Sequence, residues 1–205
     1  MTTAISHRSA LLALALGLSA AIAHAAPRVG EPAPAFAAVD SNGRSVKLAD
    51  FAGRTVVLEW TNHGCPYVQK WYQGGMQALQ KDATGKGAVW LTVLSSAPGT
   101  QGHVDGPTAN RMMKEQGAVP THYLLDPEGR VGRAFGAQVT PHMYVIAPDG
   151  RLAYAGGIDS IASADVSDIA KAEPLARLAI DAVLAGRPVA KAQTRPYGCS
   201  VKYAN

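Results

Sequence analysis

The chain has 205 residues, of which 47% are hydrophobic and 17% charged, a composition typical of one globular domain and not of a disordered or coiled-coil protein. Its net charge of +4 is spread along the chain without a dense block of Lys or Arg, so the charge does not indicate nucleic acid as a partner. The two cysteines do not form a CxxC pair, which excludes a disulfide scaffold and a zinc or iron–sulfur site built from cysteines alone.

The N-terminal segment has the pattern of an export signal. Arg8 precedes an apolar run at residues 11–23 that is short for a membrane span, and residues 23–25 (Ala-His-Ala) form a small-x-small cleavage site. An uncleaved membrane anchor is the alternative. Cleavage predicts a periplasmic or secreted protein in an oxidising compartment, without stable membrane association. The predicted units are a signal peptide at 1–25, a domain at 26–186 and a tail at 187–205.

Seven short segments have the composition and periodicity of β-strands. Asn42-Gly43 and Asp149-Gly150 predict tight hairpin turns between two pairs of them. The run that ends in Glu59-Trp60 is apolar and rich in β-branched residues, which is typical of a buried central strand. The predicted strands are 36–39, 45–48, 55–60, 88–94, 123–125, 143–146 and 152–154.

Three segments have helical periodicity. One follows Pro66 and is weakened or kinked at Gly74-Gly75, and the others span 108–116 and 170–184. The order of the elements predicts an α/β fold, with a mixed central sheet flanked by helices, an N-terminal β-hairpin and a C-terminal tail. The candidate core positions of the last helix are Leu175, Leu178, Ile180 and Val183.

The motif Asn62-His63-Gly64-Cys65-Pro66 joins the central strand to the first helix. Proline suits the first helical position, so Cys65 is expected at the helix N-terminus, where unpaired N–H groups and the helix dipole stabilise a thiolate. The thiolate is the reactive form, and Cys65 is therefore the candidate nucleophile. His63 could add positive charge or move a proton. An inert buried thiol is the alternative.

These features together resemble the thioredoxin fold over residues 29–184. The resemblance rests on the leading hairpin, the strand ending in Glu59-Trp60, the Cys-Pro helix start and Thr140-Pro141 directly before a strand. It implies that the Thr140–Pro141 peptide is cis and lies against Cys65, although a trans proline that begins a strand is the alternative. It also implies that Glu59 is a buried acid that assists proton transfer, with a carboxylate at the rim as the alternative.

Within this superfamily the chain is similar to the peroxiredoxin-like AhpC/TSA, or redoxin, group. The chain departs from its peroxidatic motif, because Leu58 and Asn62 stand where that motif has Pro and Thr or Ser. Cys65 instead aligns with the first cysteine of the thioredoxin CxxC, and Val68 with the second. The resemblance implies an antioxidant thiol oxidoreductase without a cofactor. Its substrate would be a protein thiol or disulfide, or a peroxide, and its electron donor is not specified.

Cys199, in the tail, is the only other cysteine. A lone nucleophile is trapped after attack unless a second thiol resolves it. We therefore predict that the tail folds back over the Thr140-Pro141 loop and brings Cys199 to Cys65, so that a disulfide forms on oxidation. That bond could be redox-active or could be a permanent staple.

Two other functions are compatible with these residues. Cys65, His63 and His142, with Cys199 as a further candidate, form a soft set of ligands that suits copper, although the double-cysteine copper motif is missing. The third hypothesis is a non-enzymatic binding module that keeps the fold and a structural disulfide.

Overall fold

Nine β-strands form two sheets in the computed structural model, which describes residues 27–204. The predicted signal peptide lies outside the described residues. Seven of the strands make one sheet in the order β2-β1-β5-β4-β3-β7-β8, and β6 pairs with β9. The strands are β1 (Ala37–Asp40), β2 (Ser45–Lys47), β3 (Val56–Trp60), β4 (Val89–Leu94), β5 (His122–Leu125), β6 (Val139–Thr140), β7 (His142–Ile146), β8 (Leu152–Gly156) and β9 (Cys199–Ser200).

Five α-helices accompany the strands in residues 27–204. The predicted weak point in the first helix is a real break, because Gly75 separates two helices. None of the helices between residues 27 and 204 is long and apolar enough to cross a membrane. The helices are α1 (Pro66–Gly74), α2 (Met76–Gly85), α3 (Gly106–Gln116), α4 (Arg130–Phe135) and α5 (Leu175–Leu184).

The large sheet is mixed, as predicted. β3 runs parallel to β4, and β4 runs parallel to β5, whereas β7 is antiparallel to both β3 and β8. Asn42-Gly43 and Asp149-Gly150 lie between the paired strands β1–β2 and β7–β8, and both glycines have the positive φ that such turns require. The thioredoxin-like α/β fold is therefore confirmed.

Helices cover both faces of the sheet and explain why β3 is apolar throughout. Val57 packs in the core cluster that contains α2 and α5, whereas Leu58 and Trp60 pack in the opposite cluster with Phe135 of α4. Successive side chains of a strand point to opposite faces, so a strand with a core on each side buries every residue. Each residue of β3 is buried, Glu59 included.

The last helix differs from its prediction in two ways. It begins at Leu175 and not at residue 170, because Pro174 disfavours helical backbone in the residue before it. Leu178 was predicted in the core but is 50% exposed, and Ala176 and Ala179 are buried instead. The small side chains of Ala176 and Ala179 let this face of the helix approach the sheet closely. Leu178 lies on another face and stays half exposed.

Candidate active site

Cys65 lies at the junction between β3 and α1. It is the N-terminal capping residue of α1, its backbone is extended (φ −86°, ψ 122°), and Pro66 occupies the first turn of the helix. The predicted position at the helix N-terminus is therefore confirmed. The Cys65 side chain is 0% exposed, so another part of the protein covers the sulfur.

Thr140 and Pro141 lie against this cysteine. The Thr140–Pro141 peptide is cis, and the Cys65 thiol donates a hydrogen bond to the Thr140 carbonyl oxygen at an Sγ–O distance of 3.1 Å. The Thr140 hydroxyl is buried and has no hydrogen-bond partner among the described residues. The resemblance to thioredoxins thus predicted both the isomer and the contact, and the contact leaves one hydroxyl unused beside the sulfur.

The C-terminal tail covers Cys65. Its short strand β9 pairs antiparallel with β6, with Cys199 opposite Thr140 and Ser200 opposite Val139. Both cysteines are free thiols in this structure. The tail therefore follows the predicted path over the Thr140-Pro141 loop and brings the second thiol to the first.

Hydrogen bonds hold the part of the tail that follows β9, although its sequence has no periodicity. The Val201 N–H donates to the Gln138 carbonyl at 2.9 Å, and the Ala97 N–H donates to the Lys202 carbonyl at 2.8 Å. The Tyr203 hydroxyl donates to the Ala137 carbonyl at 2.8 Å. These are contacts with distant loops, and they give the tail a reason to be ordered that periodicity could not reveal.

The two thiols differ in acidity. Burial raises the pKa of Cys65, but hydrogen bonding from Cys199 and from the Val68 N–H outweighs it and brings the pKa below its usual value. Burial, together with hydrogen bonding to Cys65 and the charge of that residue, raises the pKa of Cys199 to about 11. Cys65 is thus the thiol that ionises first, and Cys199 remains a protonated donor beside it.

The loop after β4 is hydrogen bonded to the segment before Cys65, and the sequence did not predict these contacts. The Asn62 side chain donates to the Gln101 carbonyl at 3.2 Å and accepts from the Gly64 N–H at 2.9 Å. The Gln101 side chain donates to the Gly64 carbonyl at 3.0 Å. The glycines of the loop at residues 96–103 are the one sequence signal of this close packing. Gly102 touches Asn62 so closely that a Cβ would collide with it.

Glu59 is fully buried, so the alternative of a rim carboxylate is wrong. Its carboxylate accepts four hydrogen bonds at 2.9–3.3 Å, none of them from Cys65. Burial raises the pKa of Glu59, and the four hydrogen bonds only partly oppose that effect. This carboxyl therefore holds its proton to a higher pH than an exposed glutamate does. Its partners are Tyr72, Gln80, Trp90 and Thr92.

The histidines named from the sequence form no metal-binding group with the two thiols in residues 27–204. The His63 Nδ1 atom is buried without a hydrogen-bond partner among the described residues. His142 is buried, its Nδ1 lies 3.2 Å from the Tyr144 hydroxyl, and burial lowers its pKa to about 4. Within residues 27–204, no group of three or more His, Cys, Asp or Glu side chains is arranged to hold a metal ion. The copper hypothesis thus has no assembled ligand set in this part of the chain.

The sheet order, the cysteine at the N-terminus of α1 and the cis-proline opposite it define a protein of the thioredoxin-fold class. The sequence model of the AhpC/TSA family matches residues 29–155, which is more than half of the chain. The chain therefore belongs to the AhpC/TSA family. No curated protein sequence matches it significantly.

Solved structures share this fold. A hypothetical protein from Sinorhizobium meliloti is 25% identical, with 88% of this chain and 97% of that chain covered and a TM-score of 0.71. An uncharacterized conserved protein from Geobacillus kaustophilus is 27% identical, with 86% and 93% covered and a TM-score of 0.73. The thioredoxin domain of a thiol-disulfide oxidoreductase from Bacteroides vulgatus is 19% identical, with 70% and 96% covered and a TM-score of 0.51. The first two likenesses extend over most of the chain.

Proposed function

We propose that this protein is a thiol–disulfide oxidoreductase in which Cys65 is the nucleophile and Cys199 the resolving thiol. The observation that carries the proposal is the pairing of Cys199 with Thr140, whose carbonyl oxygen is hydrogen bonded to the Cys65 thiol. Membership of the AhpC/TSA family and the fold shared with a thiol-disulfide oxidoreductase support the same chemistry.

The reaction begins when the Cys65 thiolate attacks a substrate disulfide. A bond forms between Cys65 Sγ and one substrate sulfur, the substrate S–S bond breaks, and the other substrate sulfur leaves as a thiolate that takes up a proton. Cys199 then loses its proton and attacks Cys65 Sγ, which releases the second substrate thiolate. The substrate has gained two electrons and two protons, and the protein holds a Cys65–Cys199 disulfide. A dithiol donor regenerates the protein by the reverse steps.

The neighbouring side chains have distinct roles in this scheme. When Cys65 loses its proton it no longer donates to the Thr140 carbonyl, and the unpartnered Thr140 hydroxyl can then donate to the thiolate. Pro141 holds that segment against the sulfur. His63, two residues before Cys65, moves protons, and Glu59 holds its proton to a higher pH than an exposed glutamate because burial raises its pKa.

Peroxide reduction is the second candidate activity, and the AhpC/TSA family match favours it. The Cys65 thiolate attacks the terminal peroxide oxygen, the O–O bond breaks, and the leaving alkoxide takes up a proton to give an alcohol or water. Cys199 then attacks the sulfenic acid on Cys65, forms the disulfide and releases water. Both activities therefore end in the same oxidised protein.

We also propose that the protein works in the periplasm or is secreted. The sequence of residues 1–25 has the arrangement of a signal peptide, and its positive, apolar and small-residue regions follow in the expected order. A disulfide that forms and persists suits an oxidising compartment. N-terminal sequencing of the exported protein would test cleavage after residue 25.

The function is tested by the reactivity of wild type, Cys65→Ser and Cys199→Ser towards a disulfide-containing peptide and towards hydrogen peroxide. We expect Cys65→Ser to be inactive with both, and Cys199→Ser to react once and stop as a mixed disulfide or an oxidised Cys65. If wild type reacts no faster than Cys65→Ser with the peptide and also no faster with hydrogen peroxide, only the hypothesis of a non-enzymatic binding module remains.

A further inference from the structure

A buried charged pair involves α1, the helix that follows Cys65. Lys70 Nζ, on α1, lies 3.2 Å from Asp159 Oδ2, and the two side chains are 0% and 1% exposed. Taking two charges out of water is costly, and an apolar pair of similar size is often equally stabilising or better. Stability alone therefore does not explain this pair.

Asp159 connects α1 to the C-terminal tail. Its Oδ2 accepts a second hydrogen bond from Trp71 Nε1 at 3.0 Å, and its Oδ1 accepts from the Tyr197 hydroxyl at 2.6 Å. Helix α1 begins directly after Cys65. One buried carboxylate thus links the helix next to the reactive cysteine with the segment that carries the second thiol.

Tyr197 is held on several sides. Lys70 Nζ lies 5.7 Å from the centre of its ring, and the Tyr67 ring packs edge-on against it at a centroid distance of 5.7 Å. Burial, and then the hydrogen bond to Asp159, raise the pKa of Tyr197, so its hydroxyl remains a donor. The ring of Tyr197 therefore packs against α1, and its hydroxyl is held by Asp159.

The segment of the tail between Tyr197 and Cys199 is short and closely packed. Only Gly198 separates Tyr197 from Cys199, and it is pressed against the Thr140 carbonyl, where a Cβ would overlap the oxygen. The next residue, Cys199, pairs with Thr140. Holding the Tyr197 hydroxyl therefore restricts where Cys199 can lie.

We infer that Lys70, Asp159 and Tyr197 are positioning residues that set the effective concentration of the Cys199 thiol at Cys65. The inference rests on the proposed function, because it concerns the step in which Cys199 attacks Cys65 Sγ and displaces the substrate thiolate. The three side chains bind one another and not the reacting sulfurs, and they act by holding the segment that carries Cys199.

Tyr197→Phe tests the inference with the least disturbance, because it removes the hydroxyl and keeps the ring. The measurement is the equilibrium between the Cys65–Cys199 disulfide and glutathione, which gives the effective concentration of one thiol at the other. A hydrogen bond to a charged group is worth about 1.5–3 kcal/mol, so we expect the effective concentration to fall at least about tenfold. Lys191→Gln is the matched control, since it breaks only the exposed ion pair of the same tail with Glu173.

The outcomes separate this inference from the proposed function. An effective concentration in Tyr197→Phe within twofold of wild type would overturn the positioning role, even if the melting temperature falls. An equal fall in Lys191→Gln would overturn it too, because any loosening of the tail would then suffice. Absence of the disulfide in oxidised wild type, measured as the intact mass without reductant, would remove the resolving step and with it both proposals.

Discussion

Gly198, in the tail, lies against the carbonyl oxygen of Thr140 so closely that only a residue without a side chain fits at this position. Its φ of +139° also lies in the region that favours glycine. This contact allows β9 to approach β6 and cover Cys65, so a change at Gly198 tests the cover directly.

We expect Gly198→Ala to detach β9 and expose Cys65. Overpacking costs typically 1–3 kcal/mol, which corresponds to an increase of about fivefold to more than a hundredfold in the rate at which iodoacetamide alkylates Cys65. Gly186→Ala is the control, because Gly186 also has a positive φ but a Cβ there would meet no atom within 4 Å. Peptide mapping after timed alkylation measures the rate, and equal rates in the two variants would contradict the model of a closed tail.

The hydrogen bond from Cys199 should be visible in the acidity of Cys65. In reduced Cys199→Ala, the donor is lost and the pKa of Cys65 is expected to rise. Cys199→Ser keeps an O–H donor, so its pKa should remain closer to that of wild type. Thiolate absorbance in the ultraviolet during a pH titration measures this order. If the Ala and Ser variants have the same pKa, the thiol of Cys199 is not the group that stabilises the thiolate.

The oxidised protein should be attacked at Cys199. Cys65 is 0% exposed while Cys199 is partly exposed, and the more acidic Cys65 is the better leaving group. After brief exposure of the disulfide form to reduced glutathione, acid quenching and maleimide labelling, we expect glutathione on Cys199 and maleimide on Cys65. Glutathione on Cys65 and maleimide on Cys199 would refute this direction of attack.

Glu59 should make stability depend on pH. Its folded pKa is raised by burial above the ordinary 4.5, so the folded protein keeps a proton that the unfolded chain releases. The unfolding free energy should therefore fall as the pH rises from about 4.5 through the raised pKa. Urea denaturation of Glu59→Gln over this range should give a flatter profile than wild type. Asp82→Asn, a change at the surface, is the control, and an unchanged slope in Glu59→Gln would exclude Glu59 as the source.

Local chemistry in the sequence was sufficient for the main elements and for one cysteine. The apolar β3, the turns at Asn42-Gly43 and Asp149-Gly150, and the Cys65-Pro66 helix start each depend on neighbouring residues, and all of them are present as predicted. The prediction that Leu178 lies in the core is wrong, because periodicity does not reveal which face of a helix can approach the sheet.

The sequence by itself determined that Cys65 stands at a helix N-terminus in a thioredoxin-like sheet, because a strand, a proline and a helix pattern are local signals. Only the tertiary structure decided that Asp159 and Tyr197 hold the tail, that Gln101 braces Asn62 and that Glu59 is buried among four donors. These contacts join residues far apart in the chain, and no short-range pattern specifies them. The need for a second thiol to resolve Cys65 suggested where Cys199 would lie, and packing around Gly198 and Tyr197 explains why it lies there.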